Sequence, residues 1–136
     1  MSAGTEDSFE MRLKNAEGIP VLCLGGKVSA TSLRAVRFTL EKLASAGHYN
    51  VVLNLEKAQA ANWSFLTGLA DAVRKFREHH GAVDIVATQE RIQSLLRVEQ
   101  VAKLFRLSRS EGQAISRIKR LPRDPESVSG TDARLQ

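Results

Sequence analysis

The sequence has little of what several classes of protein require. It holds one cysteine, one tryptophan, one tyrosine and three histidines among 136 residues. A single cysteine, Cys23, excludes an intramolecular disulfide and favours a reducing compartment. Because Cys23 lies inside an apolar segment, we expect it to pack as a small hydrophobe rather than act as a nucleophile. The histidines do not form the converging set of ligands that a metal site needs, so we expect no metal.

Long apolar runs are also missing, and none approaches the roughly 20 residues of a membrane span. The first ten residues are polar and acidic and lack the apolar core of a signal peptide. We therefore expect a cytoplasmic protein without membrane insertion. The formal net charge is +5, but acids are interleaved with the bases and few aromatic side chains are available to stack on bases. Nucleic acid is not an expected partner.

Signatures of catalysis and of nucleotide binding are absent as well. Gly25-Gly26-Lys27 lacks the spacing of a phosphate-binding loop and the Ser or Thr that should follow it. No pair of side chains reads as a catalytic acid and base. The sequence predicts a protein that is not an enzyme and has no cofactor.

Apolar periodicity predicts strands that alternate with helices. Apolar runs indicate strands at 9–14, 19–24, 51–55, 82–87 and 105–107, and spacings of three and four indicate helices at 29–46, 63–80, 89–100 and 111–121. This order predicts an α/β fold in which a mixed sheet of four to five strands is covered by about four helices. We expect a flexible N-terminus at 1–8, one folded domain at 9–121 and a disordered basic tail at 122–136.

One segment combines features that point to function. Asn62-Trp63-Ser64-Phe65-Leu66 follows a strand by a short loop and opens a helix. Asn62 is a good N-cap, and the first helical turn favours a negative group because its N–H groups are unpaired. Phosphorylation of Ser64 is therefore physically plausible there. Positions 62–65 span a full turn, so Trp63 and Phe65 cannot both face one core, and at least one ring should be exposed as in a binding surface.

At these residues the sequence resembles the STAS family of bacterial anti-sigma-factor antagonists. The resemblance spans roughly 9–118 and rests on the order of elements, the Val-Val-Leu-Asn-Leu strand at 51–55 and the helix start that follows it. Where the family has Asp-Ser-Ser/Thr-Gly-Leu, this chain reads Asn62-Trp63-Ser64-Phe65-Leu66. Asn62 keeps the cap without the carboxylate, and Ser64 falls on the phosphorylated position. Phe65 replaces Gly and is expected to crowd an approaching kinase.

The resemblance implies a regulator that binds a partner protein. In the family, an anti-sigma-factor kinase phosphorylates the antagonist, and the unphosphorylated form binds that kinase and frees the sigma factor. An anti-sigma factor or a kinase-like ATPase protein is the expected partner here, and the chain itself is expected to be a monomer or weak homodimer. The expected partner-binding residues lie at the helix start and on two neighbouring helices: Asn62, Trp63, Ser64, Phe65, Thr67, Arg34 and Arg74.

A second reading of the same resemblance stays open. Some family members are fixed subunits of larger assemblies, such as lipid-transport complexes with an ABC-type ATPase or stress-signalling scaffolds. The departures at Trp63 and Phe65 favour such a subunit, which is not phosphorylated.

Overall fold

The strands and helices are described in a computed structural model for residues 9–59, 62–98 and 102–120. The strands are β1 (Phe9–Ala16), β2 (Ile19–Lys27), β3 (Asn50–Gln59), β4 (Ala82–Val86) and β5 (Phe105–Ser108). The helices are α1 (Ala30–Ser45), α2 (Trp63–Gly68), α3 (Ala70–Glu78), α4 (Glu90–Leu96) and α5 (Glu111–Lys119). The segments 1–8 and 122–136, expected to be flexible and disordered, lie outside the described residues.

The chain opens with a tight hairpin. Glu17 and Gly18 both have positive φ angles, 57° and 90°, which is the backbone of a type I′ turn. The side chain of Asn15 accepts a hydrogen bond from the Gly18 N–H at 2.9 Å and closes the turn. This hairpin makes β1 and β2 antiparallel over eight consecutive residue pairs.

The remaining strands build a mixed sheet. The spatial order is β1-β2-β3-β4-β5, and every pair after the hairpin is parallel. The α/β fold with a mixed sheet of five strands and covering helices, predicted from the sequence, is confirmed.

Side chains alternate between two unequal cores. Leu53 and Leu55 point to the face covered by α1 to α4, where most of the buried apolar residues form one cluster. Val52 points to the opposite face, where α5 seals a smaller cluster formed by Ile19, Val21, Val52, Val86, Ala114 and Ile115. The sheet is thus a central layer with helices on both faces.

Three helices differ from their predicted limits by more than one residue at an end. The helix expected at 63–80 is two helices, because the chain kinks at Leu69, whose N–H bonds to the carbonyl three residues back. The helix expected at 89–100 is described only as Glu90–Leu96, and its N-cap residue is Gln89. The last helix ends at Lys119, before the predicted 121. None of the helices in the described ranges is long and apolar enough to cross a membrane.

Candidate functional site

The start of α2 is built around the Asn62 cap. Asn62 has extended backbone angles, and its side-chain oxygen accepts a hydrogen bond from the Phe65 N–H at 3.0 Å. The Asn62 carbonyl accepts from the Leu66 N–H at 3.1 Å, which begins the helical ladder. The predicted capping role of Asn62 is confirmed, and the cap fixes the direction in which the next three side chains point.

The two aromatic rings of this turn separate. Phe65 is 4% exposed and packs in the large core, whereas Trp63 is 39% exposed. The expectation that at least one ring stays accessible is therefore confirmed. The expectation that Phe65 crowds an approaching kinase is wrong, because its ring points inward. The exposed bulky neighbour of Ser64 is Trp63.

Ser64 lies between these rings with an exposed side chain. Its hydroxyl has no hydrogen-bond partner within the described ranges, while the Thr67 hydroxyl donates to the Trp63 carbonyl at 2.9 Å. A cleft of about 200 Å³ opens beside Ser64 and is lined by Val28, Ser29, Ala30, Leu33, Asn62, Ser64 and Phe65. The hydroxyl is thus presented to solvent beside a small groove between the starts of α1 and α2.

The two arginines expected at the surface are exposed on neighbouring helices. Arg34 follows Leu33, which lines the cleft, so α1 brings it to the border of this region. Arg74 lies on α3 and forms an ion pair with Asp71, with 2.6 Å between guanidinium nitrogen and carboxylate oxygen. Both partners are highly exposed, so the pair is weak and leaves the Arg74 charge available to another molecule.

A second polar cluster occupies the other face of the sheet. The Glu111 carboxylate at the start of α5 accepts hydrogen bonds from the Asn54 amide at 2.6 Å and the Lys14 ammonium at 2.9 Å. The Cys23 sulfur lies 3.6 Å from the same carboxylate. These groups line a cleft of about 400 Å³ together with Glu10, Arg12, Leu24, Gly25, Glu56 and Lys57. Sequence reasoning missed this cluster, although the lone polar Asn54 inside an apolar strand was a visible signal.

The charges of this cluster stabilise one another. Burial alone would raise the pKa of Glu111, but the hydrogen bonds from Lys14 and Asn54 outweigh burial and lower it. The hydrogen bond with Glu111 and the negative charge of Glu111 raise the pKa of Lys14. Burial and then the Glu111 charge raise the pKa of Cys23. The raised pKa disfavours the thiolate form of Cys23, which lies half-buried between the smaller core and this carboxylate.

Histidine and acidic side chains make no metal site in the described part of the chain. No group of three or more His, Cys, Asp or Glu side chains converges there. His79 instead stacks on Tyr49, with ring centroids 4.1 Å apart.

Comparison with known proteins finds a matching domain family and solved structures with the same architecture. The STAS domain model matches residues 10–114. An anti-sigma factor antagonist from Mycobacterium paratuberculosis superposes with a TM-score of 0.72 at 17% identity, over 83% of this chain and 96% of that one. SpoIIAA, an anti-sigma factor antagonist, superposes in its unphosphorylated form with a TM-score of 0.68 at 13% identity, over 84% of this chain and 100% of SpoIIAA.

The phosphorylated form of the Bacillus SpoIIAA is also similar, with a TM-score of 0.62 at 13% identity over 82% of this chain and 99% of that chain. At such identities the structures establish a shared fold. No curated protein matches the sequence.

Proposed function

Because the chain belongs to the STAS domain family, as the resemblance of its sequence predicts, we propose that it is an anti-sigma-factor antagonist that acts by docking a partner protein. The partner is an anti-sigma factor or a kinase-like ATPase protein. The similar solved structures support this proposal, since they are anti-sigma-factor antagonists.

The observation that carries the proposal is the exposed turn at the start of α2. Ser64 presents an exposed hydroxyl and Trp63 a half-exposed ring at the position where the family has its phosphorylated motif. A half-exposed tryptophan gives a docking surface a large apolar contact. We place Asn62, Trp63, Ser64 and Thr67 in this surface. Phe65, which is buried, supports the turn from below and makes no direct contact.

Phosphorylation of Ser64 would act as the off signal. A phosphoserine adds roughly −1.5 to −2 charges at pH 7 and three acceptor oxygens. Next to Trp63 this group would have to lose its hydration in the complex, which opposes docking on an apolar or acidic surface. Ser64 is exposed and lines a cleft of about 200 Å³, which supports access of a kinase to its hydroxyl from that side.

The exposed arginines set the chemistry of the partner. Arg34 and Arg74 carry positive charge on the two helices that flank the α2 turn. An acidic border around the partner's binding site would speed encounter and orient the complex more than it would tighten it. Association should therefore slow as salt is raised.

Binding to an anti-sigma factor from the same organism tests the proposal. Calorimetry should show a complex with the unmodified chain, about tenfold or more weaker binding by Trp63→Ala, and a larger loss with Ser64→Glu. Ser94→Glu, the same change at an exposed serine on α4, is the matched control and should bind like the unmodified chain. Intact mass before and after phosphatase shows whether Ser64 is modified in cells. Equal binding by all four proteins would overturn the docking surface.

A fixed subunit of a larger assembly is the second candidate, favoured by the bulky Trp63 beside Ser64. In that case Trp63 is buried permanently against a neighbouring subunit, and Ser64 is never phosphorylated. Stable co-purification with an ATPase subunit, unchanged by phosphatase and by Ser64→Glu but lost with Trp63→Ala, distinguishes this function from a switch.

A further inference from the structure

Among the residues that the structure describes, strand β1 leaves one edge of the sheet unpaired. It stands first in the strand order and pairs only with β2, through eight consecutive residues and without a bulge. A regular edge of this length offers a row of free N–H and C=O groups to another strand. Natural sheets usually protect such an edge with a bulge, a proline or a covering segment, and β1 contains neither a bulge nor a proline in its described residues.

In the described ranges, the two most exposed large apolar side chains belong to β1 and its neighbour α1. Leu13 is 53% exposed and Phe38 is 62% exposed. Leu13 pairs with the buried Leu22, so it points to the face of the large core, yet it is exposed and is not part of that cluster. This apolar surface borders the free edge.

Helix α1 rests over the same edge through Thr39 and carries Phe38 on its solvent side. The Thr39 hydroxyl lies 3.8 Å from the Met11 sulfur, so this side of α1 rests over β1. Leu33 marks the opposite side, since it packs against Gly68 of α2. At 100° per residue, Phe38 lies opposite the buried side chains of Val36 and Leu40, so it projects into solvent beside the side of α1 that carries Thr39. The Lys42 ammonium, 5.3 Å from the ring centroid, covers one side of Phe38.

The charges along β1 complement a second copy of the same strand. Glu10, Arg12 and Lys14 share the face opposite to that of Met11 and Leu13. In an antiparallel pair of β1 strands centred on Met11, Glu10 of each copy faces Arg12 of the other. Centring on Glu10 sets Glu10 opposite its own copy, and centring on Leu13 sets Arg12 opposite Lys14, so both registers are unfavourable. Centring on Arg12 sets Glu10 opposite Lys14 but brings the two Arg12 side chains together, and Lys14 is already paired with Glu111.

We propose that β1 is the interface of a two-fold symmetric homodimer, in which two β1 strands pair antiparallel about Met11 and join two sheets into one of ten strands. A second copy of the chain is the partner at the free edge, because in this register each Glu10 faces the Arg12 of the other copy. The same register sets Phe9 of one copy opposite Leu13 of the other, which covers the exposed leucine. This surface is separate from the start of α2 and does not depend on the proposed function.

Helix packing across the axis completes the interface. Paired strands lie about 4.8 Å apart, and α1 rests over β1 in each copy, so the two α1 helices become neighbours across the axis. Helices pack at about 8–10 Å when small side chains lie between them, and Ala35, one turn before Thr39, provides such a position. Phe38 of the two copies then closes the seam on its solvent side.

Charge exchange at Glu10 and Arg12 tests the register. Sedimentation over about 1 µM to 1 mM should show a concentration-dependent dimer, which Glu10→Arg or Arg12→Glu weakens about tenfold or more. The double variant Glu10→Arg/Arg12→Glu restores opposite charges across the axis and should recover dimerisation to within about threefold. Glu78→Arg makes the same charge change at an exposed position on α3 and serves as the control.

The apolar part is tested by Phe38→Ala. The ring is exposed in the single chain, so the variant should keep its thermal unfolding midpoint while its dimer weakens about tenfold. Val98→Ala, also at an exposed apolar residue, should leave both quantities unchanged. A chain that stays monomeric up to about 1 mM, a dimer that ignores Glu10→Arg, or a double variant that does not recover would each overturn the proposal. Altered anti-sigma-factor binding without a dimer would instead assign the β1 edge to that partner.

Discussion

Gly81 is required for a structural reason that is not visible in the sequence. In the sequence, Gly81 reads as the glycine that ends a helix. In the structure the left-handed residue at that helix end is His80, with φ of 65°. Gly81 is needed because a Cβ there would lie 1.7 Å from the carbonyl oxygen of Tyr49, where the chain enters β3.

Gly81→Ala should therefore destabilise the fold. The added methyl forces α3 and β4 away from Tyr49, and overpacking of this kind costs about 3 kcal/mol. Urea unfolding measures the loss. Gly112→Ala is the matched control, since its Cβ meets only the Ser110 hydroxyl oxygen at 3.9 Å, and helix propensity should leave it equal to the wild type or slightly more stable. Equal midpoints for the two variants would contradict the steric argument.

Asp84 is a buried carboxyl group on a central strand, 1% exposed. The Ser108 hydroxyl donates to it at 2.8 Å, and an Arg117 guanidinium nitrogen lies 3.5 Å from its other oxygen. Burial raises the pKa of Asp84 from its ordinary value of 3.8, and Ser108, Arg117 and Arg106 offset only part of this effect. The folded chain therefore holds the proton more tightly than the unfolded chain does.

The sign of the pH dependence follows from that difference. The stability that protonated Asp84 contributes is fully present below pH 3.8 and is lost as pH rises through the folded-state pKa. Asp84→Asn cannot ionise and still accepts from Ser108. Its unfolding free energy minus that of the wild type should increase from about pH 4 upward and then level off. Denaturation from about pH 3 to 7 measures this difference, with the exposed Asp71→Asn as the surface control. A difference independent of pH would show that Asp84 does not titrate in this way.

At the scale of elements, the start of α2 depends on one capping side chain. Asn62→Ala removes the hydrogen bond to the Phe65 N–H and should cost about 1 kcal/mol of unfolding free energy. Asn62→Asp keeps an acceptor oxygen and adds a charge that favours the helix start, so it should be as stable as the wild type. Hydrogen exchange at the amides of α2 should rise for the alanine variant alone. Equal exchange in all three proteins would mean that tertiary packing, not the cap, holds the turn.

Element limits were predictable where their cause is local. The start of α1 follows from a capping box, since Ser29 and Ser32 bond reciprocally, and both residues are visible in the sequence. The kink between α2 and α3 was not predictable, because it coincides with a long-range contact. A Cβ at Gly68 would lie 2.6 Å from a Leu33 methyl of α1, so the helices touch there. No periodicity within 63–80 encodes that approach.

The candidate site also combines features set by local geometry with features set by long-range packing. Turn geometry predicts that the rings of Trp63 and Phe65 separate, because residues two apart on a helix point to different sides. Which ring is buried depends on the angle at which α2 meets α1 and the sheet, and the sequence did not reveal that. Glu111 forms polar contacts with Asn54, which is 57 positions away in the chain, and with Lys14, which is 97 positions away. Only the fold brings these residues together.

At the scale of the whole molecule, the sheet separates a large core from a small one. Alternating positions of β3 contribute to each: Leu53 to the core under α1 to α4, and Val52 to the core under α5. Both side chains are fully buried. Beyond this small core, α5 is attached by polar contacts, among them Arg117 donating to the Leu107 carbonyl at 3.1 Å. We therefore expect α5 to unfold locally without disrupting the layer of α1 to α4, and the reverse.

Paired substitutions on β3 test this division. Leu53→Ala should cost about 3 kcal/mol, a large share of the 5–15 kcal/mol that holds a domain together, and should raise hydrogen exchange in every strand. Val52→Ala removes less apolar surface, about 1.5–2 kcal/mol by transfer energies, and should raise exchange mainly in α5, because the large core stays intact. Exchange followed by mass spectrometry after proteolysis resolves α5 from the strands. If Val52→Ala loosened α1 and α3 as much as α5, the two layers would form a single cooperative unit, and α5 would stabilise the face that carries Trp63 and Ser64.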